Sequence, residues 1–239
     1  MCMGGVNNVL DIQPILATYQ PIYRLDSEKI YGYGVLTQAS HSNNYNLVEL
    51  FELSEMIDNL QELELATMEQ VIRRFKGTGK LFITMFCKST EATTRYLEKM
   101  INVAADVGLA LEDIVIELTE RASWKQESID KIREFKLKYN FLLAISDFGK
   151  SFSNNLLLLD IPADIIKINR VFIQSIYKNR QKRATVRAFI EAVKGNNIKI
   201  ICEGIEEEEE LSVLKNLGSD LGQGYYLGKS ETLTLSPLI

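Results

Sequence analysis

The stretch Phe141–Asn169, FLLAISDFGKSFSNNLLLLDIPADIIKIN, decides the fold. Its first part, FLLAISDFG, is an almost unbroken apolar run that ends in Ser146-Asp147, and its last part, DIIKIN, is a second such run. Between them SNNLLLLDIP reads as a short helix. Strands apolar on both faces and separated by a helix belong to a parallel sheet covered on both sides.

The same alternation extends in both directions. Upstream lie the strand KLFITMFC (80–87), the helix STEATTRYLEKMINVAADVG (89–108), the strand DIVIELTE (113–120) and the helix SWKQESIDKIREFKLKYN (123–140). Ser89 suits a helix cap and Gly108 a helix stop. Downstream come the helix RQKRATVRAFIEAVKGNN (180–197), the strand IKIICEGI (198–205), the helix EEEEELSVLKNLG (206–218) and a last strand DLGQGYYLG (220–228). The chain opens on a hairpin, TYQPIYRL and KIYGYGVLT around the turn at Asp26. An apolar pattern of helical period then runs from Leu47 to Met68, with a break at Asp58-Asn59. Seven or eight strands in one unit favour a closed barrel over an open sheet. The open doubly wound alternative calls for a glycine-rich phosphate turn, and neither GxGxxG nor GxxxxGK[ST] follows a strand.

The 239 residues are 46% hydrophobic and 25% charged, with a net charge of −5. This is ordinary globular composition without the positive charge that attracts DNA, RNA or anionic membrane. The three cysteines, Cys2, Cys87 and Cys202, are widely spaced and offer no CxxC pair, which fits a reducing compartment. No run is long enough to span a membrane, and the first residues lack signal-peptide order. A cytoplasmic protein is expected, either whole or excised from a longer chain. Residues 1–13 are expected to form an arm or linker stub and 14–239 a single barrel domain. The single histidine, His41, lies in the polar stretch SHSNNYN and reads as a solvated loop residue, which leaves little room for histidine-based catalysis. Glu206–Glu210 at a helix start suits the macrodipole and reads mainly as solvated, apart from Glu206. The basic stretch YKNRQKRATVR reads as a solvated face or as a site for an acidic partner.

Barrel chemistry projects from the C-terminal ends of strands. Those ends carry Gly34 to Gln38, Thr84, Glu117 with Glu120, Ser146-Asp147, Lys167 with Asn169, Glu203 with Glu206, and Gln223. Acidic groups and one lysine at a single rim suit metal-assisted phosphoryl chemistry. Each residue taken alone could also cap a helix or pair with a neighbour.

The blocks YQPIYRLDSEKIYGYGVL, IELTE, SDFGKSFSNNLLLLDIPADIIKINRVFI, ICEGIEEEEEL and LGSDLGQGYYLGKS resemble the EAL-domain family of cyclic di-GMP phosphodiesterases, from Tyr19 to Ser230. The resemblance implies an α/β fold: a modified (β/α)8 TIM-like barrel whose first strand runs antiparallel to the rest. It implies two Mg²⁺ or Mn²⁺ ions in active members, with a metal-held water attacking phosphorus. It assigns Glu117 as a metal ligand. Lys167 and Glu203 become the catalytic residues that orient or deprotonate the water. Gln20, Leu36, Asp147, Glu206 and Gln223 line the nucleotide site.

The chain departs from that pattern at several places. Glu-Ala-Leu is Gly34-Val35-Leu36, so the metal-binding glutamate is missing, and the arginine that contacts phosphate is Gln38. The family's asparagine aligns with Thr84, the first of its paired aspartates with Ser146, and Lys-Ile-Asp reads Lys167-Ile168-Asn169. Ser151 replaces a glycine in the KSFSN loop, which orders the metal site and the dimer in the family. Neutral hydroxyls are poor ligands for hard divalent cations. Metal ligation is therefore expected to be lost at Gly34, Thr84 and Ser146, with no ion held tightly. Lys167 is expected to act as counter-ion to Glu117, Asp147 and Glu203. The expected function is a degenerate, non-catalytic bacterial regulatory module. It would act through a protein partner or through residual cyclic di-GMP binding, with a homodimer as a further expectation. The alternative is a weakened phosphodiesterase that uses Mg or Mn to cut cyclic di-GMP to linear pGpG.

Overall fold

The computed structural model describes residues 15–39, 60–87, 89–119, 124–148 and 161–232. Eight strands close a barrel in sequence order: β1 (Ile15–Arg24), β2 (Ile30–Ala39), β3 (Lys80–Met85), β4 (Ile114–Thr119), β5 (Leu142–Phe148), β6 (Ile165–Ile168), β7 (Lys199–Cys202) and β8 (Leu221–Gln223). β1 runs antiparallel to both its neighbours, β2 and β8, and every other pairing is parallel. This is the barrel with a reversed first strand that the family resemblance implies, and the opening hairpin agrees with it.

The described helices are α1 (Leu60–Arg74), α2 (Thr90–Val107), α3 (Gln126–Tyr139), the single turn α4 (Arg170–Ile173), α5 (Arg180–Val193) and α6 (Glu208–Leu217). Ser89 caps α2 by accepting from the Ala92 amide, and Gly108 stops it with φ 71°. Asn179 caps α5 through the Lys182 amide.

The core has an inside and an outside. Inside the barrel, each strand supplies one apolar residue in turn: Ile22, Tyr31, Phe82, Val115, Ala144, Ile165, Ile201 and Leu221. Outside, one cluster joins β1 to β5 with α1, α2 and α3 through residues such as Leu65, Met68, Tyr96, Met100, Ile116 and Ile132. A second joins β6 and β7 to α5 and α6 through Ile168, Val186, Ile190, Cys202 and Leu214. Burying each such side chain contributes roughly 1.5–3 kcal/mol. The helices are therefore held by packing more than by intrinsic propensity.

Two expectations are corrected. The last strand stops at Gln223 rather than running to Gly228, because the backbone turns away: Tyr226 donates to the Ile205 carbonyl and Gly228 to the Gly224 carbonyl. The missing side chain at Gly224 admits the Ile205 backbone, whose oxygen lies 2.1 Å from where a β-carbon would be. The acidic run at α6 is also not solvated throughout. Glu210 is buried and accepts from the amides of Ser175 (2.7 Å) and Glu206 (2.9 Å), tying α6 to the segment after α4. His41, Cys2, Glu120, the KSFSN loop, the stretch expected as a helix up to Asp160, residues 1–13 and the Gln38 side chain lie outside the described residues.

Candidate functional site

The site follows from strand periodicity. Side chains two residues apart share a face. Two residues beyond the apolar layer, toward the C-terminal rim, stand Thr84, Glu117, Ser146, Lys167, Glu203 and Gln223. On the reversed β1 the equivalent step runs backward, from Ile22 to Gln20. Gln20 pairs across the sheet with Gly34. One polar layer is thus stacked on one largely apolar layer.

Its bonds form two groups. In the first, the Lys167 ammonium bonds Glu117 Oε1 at 2.5 Å and Glu203 Oε1 at 2.8 Å. Thr84 Oγ1 donates to the other Glu117 oxygen at 3.2 Å. Lys167 is 4% exposed and sits 5.7 Å above the Phe82 ring, a favourable cation–π position. Burial opposes its charge, but the two carboxylates outweigh burial and hold the ammonium above the usual lysine range. Burial pushes the Glu203 carboxyl up, and Lys167 opposes that shift.

The second group is a carboxamide relay. Gln20 Nε2 donates to the Gly228 carbonyl at 3.0 Å, and Gln223 Nε2 donates to Gln20 Oε1 at 3.1 Å. Gln223 Nε2 also lies 2.6 Å from the point where a β-carbon at Gly34 would sit, so this amide fills the ground that a side chain there would need. The neighbouring Gly32 has a different cause, since a β-carbon there would meet the Lys80 carbonyl oxygen at 2.2 Å.

Above the layer opens a cleft of about 320 Å³. Gln20, Gly34, Leu36, Thr84, Glu117, Lys167, Glu203, Glu206 and Gln223 line it, so most of the residues singled out from the sequence come together. Asp147 and Ser146 are not among the lining residues. Asp147 takes a left-handed backbone (φ 58°), and its carboxylate accepts from Asn169 Nδ2 at 2.7 Å instead of meeting Lys167. Ser146 is buried. Three lining residues escaped the sequence reading: Arg170, Gly204 and Tyr225. Arg170 directly follows the Lys-Ile-Asn strand end, which was the available signal, and it pairs with Glu206.

The described side chains do not present the ligand set that two divalent cations require. Both Glu117 oxygens are engaged, by Lys167 and by Thr84. The ground at Gly34 holds an N–H donor, where a cation needs an acceptor. Among the described residues, no three His, Cys, Asp or Glu side chains stand close enough to share a metal ion.

Comparison with known proteins agrees with this geometry at the level of family. The EAL domain matches residues 9–230, and the chain belongs to the EAL-domain family. A protein of Escherichia coli K12 named probable cyclic di-GMP phosphodiesterase PdeA is 25% identical over 98% of this chain. The chain spans 33% of that protein's length, and 22% and 27% of two other relatives. The cyclic di-GMP-bound structure of a standalone EAL protein from Vibrio cholerae O395 superposes with a TM-score of 0.77. It is 24% identical, over 91% of this chain and 92% of that one. A Klebsiella pneumoniae BlrP1 structure with manganese and cyclic di-GMP superposes at 0.76, with 22% identity over 92% of this chain and 56% of that one. Among the described residues no helix is long and apolar enough to cross a membrane.

Proposed function

We propose that this barrel is a non-hydrolytic EAL module of bacterial signalling, which regulates by binding and not by turnover. The observation that carries the reading is the Lys167 ammonium, bonded to Glu117 and Glu203 together. It already engages the carboxylate of Glu117, the expected metal ligand, together with that of Glu203, and offsets one of their two charges. With Gly34 replacing one anionic ligand and Ser146 another, two divalent charges would be left poorly compensated. The role left to such a cleft is recognition, with a protein partner as the target.

A second reading is that cyclic di-GMP is the bound ligand. Its support is the set Gln20, Leu36, Glu206 and Gln223, which the family uses for the nucleotide and which here lines one cleft. The weakened phosphodiesterase rests on Glu117, Lys167 and Glu203 staying together.

One assay separates the three. Cyclic di-GMP is incubated with the protein and excess Mn²⁺, and linear pGpG is followed by chromatography while binding is followed by calorimetry. The non-hydrolytic reading expects no pGpG above the buffer control. Sustained Mn²⁺-dependent production would overturn it and establish the enzyme. Saturable binding without product would name the nucleotide as ligand.

A further inference from the structure

The upper end of β1 has an open edge. β8 covers only Ile22, Tyr23 and Arg24 of this strand, while β2 runs along its other side from Ile15 to Tyr23. Above the end of β8 the chain returns to β1 at one point. Glu231 sits opposite Tyr19 as an isolated antiparallel bridge: Tyr19 N donates to the Glu231 carbonyl at 2.8 Å, and Glu231 N donates to the Tyr19 carbonyl at 3.1 Å. Tyr19 therefore turns both of its backbone groups away from β2. Period two turns Ala17 the same way. Among the described residues nothing bonds the Ala17 amide or carbonyl on that side, yet Ala17 is only 3% exposed. A buried backbone pair of this kind requires a partner.

The register of the bridge says which residues can supply it. In an antiparallel ladder each step back along β1 is a step forward along its partner. Glu231 opposite Tyr19 thus sets Leu233 against Ala17 and Leu235 against Ile15. These are the bonded positions, because the Tyr19–Glu231 pair exchanges both of its hydrogen bonds. The sequence from there, ETLTLSP (231–237), alternates threonine with leucine at period two. In that register the leucines share a face with Tyr19 and Ala17, both members of the large outer core cluster, and the threonines share a face with Thr18. Pro237 has no N–H and ends such a strand just past Leu235, which is the level at which β1 itself begins.

We propose that residues 232–235 add a short ninth strand to the free edge of β1, so that this edge is a docking surface for a later segment of the same chain. The strand would widen the β1–β2 ribbon just above the polar layer. There Thr18 Oγ1 donates to the Leu36 carbonyl at 3.2 Å, and Leu36 lines the cleft. Thr232 and Thr234, on the face of Thr18, would build up the cleft wall on that side with hydroxyl groups. The segment also leaves from the turn at Gly228, whose carbonyl holds Gln20, so the added strand is anchored next to the cleft floor.

In this register positions 16 and 234 form a non-bonded pair, whose Cα atoms lie about 4.5 Å apart, close enough for a disulfide. The first test is Leu16→Cys with Thr234→Cys in the full 239-residue chain carrying Cys2→Ser. An intramolecular disulfide is expected in a glutathione buffer. It should form at least about tenfold faster than in Leu16→Cys with Leu235→Cys, where the two thiols stand on opposite faces. Equal rates in the two variants, or a disulfide in neither, would overturn the proposal. A disulfide between two molecules would give the edge to a second copy and overturn the chain's own segment as its occupant. The second test needs no new cysteine. Leu233→Pro removes the donor to the Ala17 carbonyl and breaks the ladder. The Ala17 amide is expected to exchange with deuterium at least about tenfold faster in that variant than in the unaltered chain. The same rate in both proteins would also overturn the proposal. Neither test involves cyclic di-GMP or Mn²⁺, so the added strand stands or falls apart from the non-hydrolytic reading of the cleft.

Discussion

The amide of Gln223 stands over Gly34, with Nε2 at 2.6 Å from the position of a β-carbon. Where the family resemblance expects a glutamate side chain, this chain sets a donor from β8. Putting a carboxylate back requires this amide to move. Gly34→Glu alone is expected to break the Gln20–Gln223 bond, at a cost of about 1 kcal/mol, and to gain no Mn²⁺ binding. Gly34→Glu combined with Thr84→Asn and Ser146→Asp is expected to melt higher when Mn²⁺ is added. Thermal melts of both variants with and without the ion check this. A triple variant indifferent to Mn²⁺ would place the loss of metal binding elsewhere in the chain.

Lys167 is the buried counter-ion of the buried Glu117 and the partly exposed Glu203. Lys167→Met leaves Glu117 and Glu203 facing each other without compensation, which typically costs about 3–5 kcal/mol. Adding Glu117→Gln and Glu203→Gln to that variant is expected to restore much of the loss. Urea unfolding of the single and triple variants measures both effects. A single variant as stable as the parent would remove the counter-ion role.

Glu64 on α1 is buried, and it accepts from the Phe86 amide at 2.6 Å and from Cys87 Sγ at 3.3 Å. Burial pushes its carboxyl up from 4.5 to about 7, against the pull of those donors. The folded state therefore holds this proton more tightly than the unfolded chain does. The stabilisation is fully present below about pH 4.5 and is lost as pH rises to about 7, over a range of roughly 3 kcal/mol at most. Glu64→Gln cannot ionise and is expected to flatten that part of the stability profile. Denaturant titrations from pH 4.5 to 7.5 give the comparison. Parallel profiles for the two proteins would refute the assignment.

Asn169 does two things at once: Oδ1 accepts from the Val171 amide at 3.0 Å, and Nδ2 donates to Asp147. Asn169→Asp keeps the first bond and sets a carboxylate against Asp147. A loss of about 1–3 kcal/mol is expected at pH 7, shrinking as the pH is lowered into the carboxylate range. Unfolding at pH 7 and pH 4 tests the difference. A pH-independent loss would mean that packing, and not charge, is responsible.

Much of this was legible in the sequence because period-two strands place their polar ends at one rim. Thr84, Glu117, Lys167, Glu203 and Gln223 could be picked by position alone, and the barrel assembles them at one level. What escaped depends on geometry outside the strands. Asp147 follows Ser146 directly, but its left-handed backbone turns its carboxylate toward Asn169. Arg170 and Tyr225 reach the cleft from the turns after β6 and β8, where no periodicity operates. Glu64 looks like one polar position on an amphipathic helix, and only the packing of α1 against the end of β3 reveals that it is buried. Glu210 is similar: it resembles its four acidic neighbours in sequence, and only it is buried against the segment after α4.

The reversed first strand has a consequence in time. β1 closes the barrel only by pairing with β8, and Gln20 meets Gln223 across 203 positions of sequence. During synthesis the first half of the relay is made early and waits for nearly the whole chain. The central strands and their helices are assembled from short-range steps, while the cleft floor depends on a loop closure of more than 200 residues. The cleft floor is thus among the last parts of the barrel to be completed, and a chain that stops before Leu221 has most of a barrel with no floor to its cleft.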